Sequence, residues 1–140
     1  MVLVGLLSCA QVPVEKTIVT EGNLSTLKGT WSGWTSFKGL ASSSVLTNLE
    51  INNDTVPIQG TITLYNLPQG VANLFPNESL SLGNNFTLDF KNGLISDKGT
   101  IIAESGKNSL ELAYYAGEKP RVDGWFLYYS ANGTMTLTKK

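Results

Sequence analysis

The chain has 140 residues, enough for one domain with one hydrophobic core. Apolar residues make up 41% and charged residues 15%, with a net charge of −1, so the wet surface must be built from Ser, Thr, Asn and Gly, and no basic stripe is present to neutralise a nucleic acid. Histidine is absent, which removes the commonest general base and the commonest transition-metal ligand.

Met1 to Ser8 form an apolar or small-residue run, too short to cross a membrane, which takes about 20 apolar residues. The run reads as the remnant of a secretory signal peptide. Leu6-Leu7-Ser8-Cys9 resembles the lipobox of bacterial lipoproteins, with a leucine three before the cysteine and a small residue directly before it. The resemblance implies removal of residues 1–8, a lipid on the sulfur of Cys9, and attachment to a membrane of the cell envelope. Ala10 stands where an aspartate would favour inner-membrane retention, so the outer membrane is the expected address. Cys9 is the sole cysteine and cannot form an internal disulfide. Residues 9–26 then read as lipidated cysteine and tether. Pro13, Glu15-Lys16, Glu21-Gly22 and Asn23 interrupt any apolar helical face, and Val12, Val14, Ile18 and Val19 offer at most a short edge strand. The roughly 16 residues from Ala10 to Ser25 reach about 50 Å when extended.

Residues 27–140 read as one β domain, because strand and turn signals alternate every eight to twelve residues or so. Gly29-Thr30-Trp31-Ser32-Gly33-Trp34 opens it, its glycines allowing a backbone or ring to approach closely. A polar loop is predicted at Gly39 to Ser44. Val45, Thr47, Leu49 and Ile51 then share a strand face, Asn52-Asn53-Asp54 turns the chain, and Val56 to Leu67 continues around Gly60. Pro68, Gly70 and Pro76 predict a loop with a helical turn near Val71 to Phe75. Leu80 and Leu82 start the next run, and Phe86, Leu88 and Phe90 alternate with Thr87, Asp89 and Lys91. Asn92-Gly93 predicts a hairpin turn, as do Asp97-Lys98-Gly99, Ser105 to Asn108, and Ala131-Asn132-Gly133. The strands Thr100 to Glu104, Ser109 to Tyr115, Val122 to Tyr129 and Thr134 to Thr138 complete an all-β chain.

Gly29-Thr30-Trp31 at the start and the short Gly-Thr-Met-Thr-Leu-Thr strand at the end resemble the calycin-like barrels, the lipocalin and avidin group. That resemblance implies an antiparallel up-and-down β-barrel of about eight strands, with a centre that packs solid or holds one small ligand. Strand count and alternation leave a β-sandwich open as the alternative.

Residues for catalysis are scarce. Without histidine the usual triads cannot form, and neither a Gly-x-Ser-x-Gly elbow nor a phosphate-binding glycine loop occurs. Asp89, Asp97, Glu104, Glu111 and Asp123 fit solvated strand faces and turns better than a paired acid and base. No catalytic residue, metal site or cofactor is expected. Aromatic side chains are the better candidates. Trp31, Trp34, Tyr114, Trp125 and Tyr129 are the expected lining for a small apolar or amphipathic ligand. Tyr115, Phe126 and Tyr128 are the alternative, an outer surface that contacts an envelope protein or glycan. Alternation puts Trp125, Leu127 and Tyr129 on one face of their strand and Phe126 and Tyr128 on the other.

Overall fold

The computed structural model describes residues 15–140, so Cys9 and the rest of the lipobox-like run lie outside the described residues. Nine strands carry the fold: β1 Gly29–Phe37, β2 Leu40–Ile51, β3 Ile58–Leu64, β4 Leu80–Ser81, β5 Asn85–Ile95, β6 Ile101–Ser105, β7 Asn108–Tyr115, β8 Arg121–Tyr128 and β9 Ala131–Lys139. Each pairs antiparallel with its neighbours, in the order β3-β2-β1-β9-β8-β7-β6-β5-β4. A further pairing of β3 with β5, from Ile58↔Gly93 to Leu64↔Phe86, joins the two sides. The result is a closed eight-stranded up-and-down barrel, with β4 as an extra short strand on β5. The pairing of β1 with β9 along Trp31↔Lys139 to Phe37↔Gly133 rules out two separate sheets, so the sandwich alternative is set aside.

Strand alternation decides what fills the barrel. Trp31, Thr35 and Phe37 of β1 point inward, as do Val45, Thr47, Leu49 and Ile51 of β2 and Phe126 of β8, all buried. The two inward threonines satisfy each other: their Oγ1 atoms lie 2.6 Å apart, and Thr47 Oγ1 also donates to the carbonyl of Val45 at 2.9 Å. Inward glycines make room for rings. A Cβ on Gly60 would stand 2.5 Å from Phe90 Cζ, and one on Gly133 would stand 2.5 Å from Phe126 Cε1. Gly60 and Gly133 therefore act as sockets for aromatic side chains of other strands.

Both ends of the barrel are plugged. At the end where β1 begins, the segment from Thr17 through helix α1 (Leu24–Leu27) packs Val19, Leu24 and Leu27 into the core. The Trp31 indole N–H donates to the carbonyl of Leu27 at 2.8 Å, and the Tyr114 ring meets Trp31 edge-on at 6.1 Å. Lys139 covers this plug, donating from Nζ to the carbonyls of Thr26 (2.8 Å) and Lys28 (2.6 Å), 5.0 Å from the Trp31 ring. At the other end, helix α2 (Gln69–Ala72) brings in Val71, Ala72 and Phe75. Phe75 touches Phe37, Phe86 and Tyr128, with centroids 6.1, 4.5 and 6.0 Å away.

Four sequence expectations change. Thr17 to Thr26, expected as part of the tether, is docked: Thr17 N–H donates to Tyr114 O, Val19 N–H donates to Gly99 O, and Val19 and Leu24 are buried. The polar loop at Gly39 to Ser44 is a tight turn, because Gly39 takes φ +86° and β2 starts directly at Leu40. Asn92-Gly93 is no hairpin but a bulge within β5, with Gly93 pressed against Ile58. The last turn falls at Tyr129-Ser130, before Ala131, with Tyr129 at φ +55°.

Candidate functional site

The barrel wall has one weak seam among the described residues. β5 has eleven residues and β6 only five, and the two pair solely at Leu94↔Ile102 and Ile95↔Ile101. At its other end the same edge of β5 carries β4, through Leu80↔Phe86 and Ser81↔Asn85. Between these contacts Thr87 to Gly93 has no strand partner on that side among the described residues.

The bulge explains the split. Between Ile58↔Gly93 and Gly60↔Phe90, one residue of β3 (Gln59) faces two of β5 (Lys91 and Asn92). Such an insertion bends its strand and sharpens the local twist, turning β5 away from β6. Asn92 spans the narrow corner of the gap, its Nδ2 donating to the carbonyl of Glu104.

Beyond that bridge lies a cleft of about 310 Å³. Its floor is apolar, the half-buried Leu88 with the buried core residues Phe90, Ala103 and Leu110 behind it. Its rim is polar: Asp89 and Lys91 from β5, Glu104 and Ser105 from β6, Asn108 and Ser109 from β7. Asp89 is held by the Thr61 hydroxyl, which donates to Oδ1 at 2.8 Å. A smaller polar hollow of about 230 Å³ lies across β5, over Gln59, Gly60 and Thr61, and shares Asp89, Phe90 and Lys91. An apolar floor under a rim of donors and acceptors suits an amphipathic molecule. Among the described residues, no group of three His, Cys, Asp or Glu side chains is placed to hold a metal ion.

The aromatic residues singled out from sequence do not meet in one place. Trp31 and Tyr114 are buried in the plugged end of the core. Trp34 is on the outer face of β1 at 57% exposure, Trp125 on the outer face of β8 at 38%, and Tyr129 in the last turn at 63%. Trp125 Nε1 donates to Asn132 Oδ1 at 2.7 Å. Of the outer-surface set only Tyr115 is outward, with the Arg121 guanidinium 4.2 Å from its ring centroid. Phe126 and Tyr128 point inward. Alternation along β8 holds, but its polarity places Phe126 in the core and Trp125 outside, because Gly133 opposite offers the socket.

Sequence reasoning missed the cleft residues. The signal was present in strand lengths: Thr100 to Glu104 is too short to cover a neighbour that runs from Phe86 to Ile95. Reading Asn92-Gly93 as a turn hid it, since that splits the long strand in two.

No protein-family model, curated protein or solved structure matches this chain.

Proposed function

We propose that this is a non-catalytic lipoprotein of the cell envelope, anchored to the outer membrane through Cys9, whose barrel binds a small amphipathic ligand. The ligand site is the cleft between β5 and the β6–β7 hairpin, not the barrel axis, which is occupied by packed rings. One observation carries this reading: the wall opens over an apolar floor that a closed barrel would cover. The lipobox-like Leu6-Leu7-Ser8-Cys9 supports the anchor.

An anilinonaphthalene sulfonate dye tests the cleft. Saturable binding is expected, weakened at least about tenfold by Leu88→Glu, which sets a negative charge in the half-buried floor against the dye's own sulfonate. Equal dye binding by both proteins at equal melting temperature overturns the assignment. Radiolabelled lipid should enter the wild type and not Cys9→Ala, and equal labelling removes the anchor.

A second reading is favoured by the outer face of the β1–β2 pair. Trp34 and Leu46 are directly opposed there and both exposed. That patch would contact an envelope protein or glycan. Quenching of tryptophan fluorescence by cell-wall fragments, lost in Trp34→Ala, is its expected signature.

A further inference from the structure

We propose that the occupant of the cleft is an extended peptide that adds itself as a strand to the free edge of β5, an inference that rests on the ligand-binding reading of this same site. A closed barrel normally leaves no strand edge unpaired, and among the described residues this one leaves the run from Thr87 to Gly93. An unpaired edge presents backbone N–H and C=O groups in the spacing that another strand requires, and peptide recognition by strand addition uses them directly.

The chain already demonstrates the mode. β4 lies antiparallel on that edge at Asn85 and Phe86, but Pro76 and the 3-10 turn Asn77–Ser79 lead the backbone away before it reaches Thr87. The track is started and left open. A ligand strand continuing it runs antiparallel to β5, with the β6 residues Ala103 to Ser105 on its far side. Where both edges are present the cleft is about three residues long, or roughly 10 Å at the strand rise.

Strand geometry then sets the ligand's pattern. Alternate residues drop onto Leu88, Phe90 and Leu110, which fits medium aliphatic side chains such as valine. The residues between them face out, among Asp89, Glu104 and Lys91. Two carboxylates against one ammonium leave a net negative rim, so the outward positions favour lysine or arginine. The side-chain amide of Asn92, donating to the Glu104 carbonyl, already makes at the narrow corner the contact that a ligand amide would repeat further along.

The probe is acetyl-Lys-Val-Lys-Val-Lys-amide, with two analogues, one N-methylated at both valines and the other at all three lysines. Successive residues of a strand turn their N–H groups to opposite edges, so each analogue blocks one edge while keeping every side chain. Saturable binding of the parent is expected, with slowed exchange at those amides of Thr87 to Lys91 that face the cleft and an affinity loss of about tenfold or more in at least one analogue. Glu104→Lys, an exposed change, should reverse the preference between the parent and its Glu-Val-Glu-Val-Glu counterpart. Undiminished binding of both N-methyl analogues, or unchanged exchange at the cleft-facing amides of Thr87 to Lys91, overturns strand addition. Dye bound in the cleft without any peptide binding overturns it too while leaving the small-ligand reading intact, and binding of neither removes both. A dimer in sedimentation equilibrium that protects the same amides without peptide gives the edge to a second copy and overturns the proposal.

Discussion

Trp31 and Trp34 are three positions apart on one strand, an odd offset, so they face opposite sides of the wall. Trp31 is wholly buried and anchors the plug through its indole N–H, whereas Trp34 stands in solvent against Leu46. Trp31→Ala should therefore cost about 3–5 kcal/mol in urea unfolding, and Trp34→Ala within about 0.5 kcal/mol. The sequence motif that contains both could be read as a strand crossing a core, but not as to which indole went in. That choice depends on which side meets Leu27 and Tyr114, contacts from distant parts of the chain. Lys139 shows the same dependence. Desolvation by the plug lowers its pKa below 10.5. The unfolded chain thus holds that proton more tightly, and the penalty on the charged form is released as pH rises from the folded value toward 10.5. Lys139→Met loses two donors to carbonyls and should cost about 1 kcal/mol near neutral pH. The stability difference between wild type and variant should widen as pH approaches 10.5, as followed by chemical denaturation at each pH. A constant or shrinking difference contradicts the desolvation argument.

At the scale of elements, most strands were legible because each has its own alternation of apolar and polar residues. The clean run Phe86, Leu88, Phe90 is the inward face of β5, and the Val45 to Ile51 series is the inward face of β2. What escaped sequence reading were features defined by a partner strand. Asn92-Gly93 has the composition of a turn, yet β3 pairs across it and makes it a bulge. Val19, Leu24 and Leu27 have no shared period, so nothing local revealed that they plug the barrel. The same logic identifies the weakest element. β5 and β6 share two residue pairs, whereas β8 and β9 share eight, so the seam opens with little loss of pairing. Native-state hydrogen exchange should be fastest, among strand amides, at the alternate residues of Thr87 to Asn92 and of Ala103 to Ser105 whose N–H groups face the gap instead of β3 or β7. Amides at the centre of β8 and β9 should exchange only with global unfolding. Comparable protection in both regions would mean that the gap is closed in solution.

Across the whole molecule, closure rests on the meeting of the first and last strands, β1 and β9, which are over a hundred residues apart at Trp31 and Lys139. Local hairpins form every other seam of the cylinder apart from β3 with β5. The β1–β9 seam also holds the glycine with the least room: a Cβ on Gly33 would stand 2.0 Å from the carbonyl oxygen of Thr136 and 3.0 Å from its carbonyl carbon. Main chain cannot swing aside as a side chain can, so the seam must shift or part. Gly33→Ala should destabilise by at least the upper end of the range for overpacking, about 3 kcal/mol. Gly70→Ala is the control, since its Cβ would meet nothing within 4 Å and its helix gains a better former. It should be neutral or stabilising by up to about 1 kcal/mol. The two variants add the same methyl group, so a difference between them isolates closure from composition. A barrel opened at β1–β9 keeps its local hairpins but exposes Thr35, Phe37, Met135 and Leu137, now buried along that seam. Gly33→Ala should therefore retain strand signal in far-UV dichroism while binding dye at a second, non-saturable set of sites. Unfolding of Gly33→Ala with wild-type stability and a single dye site would show that β1 and β9 can separate by a methyl group at no cost, and that closure is not what holds the barrel together.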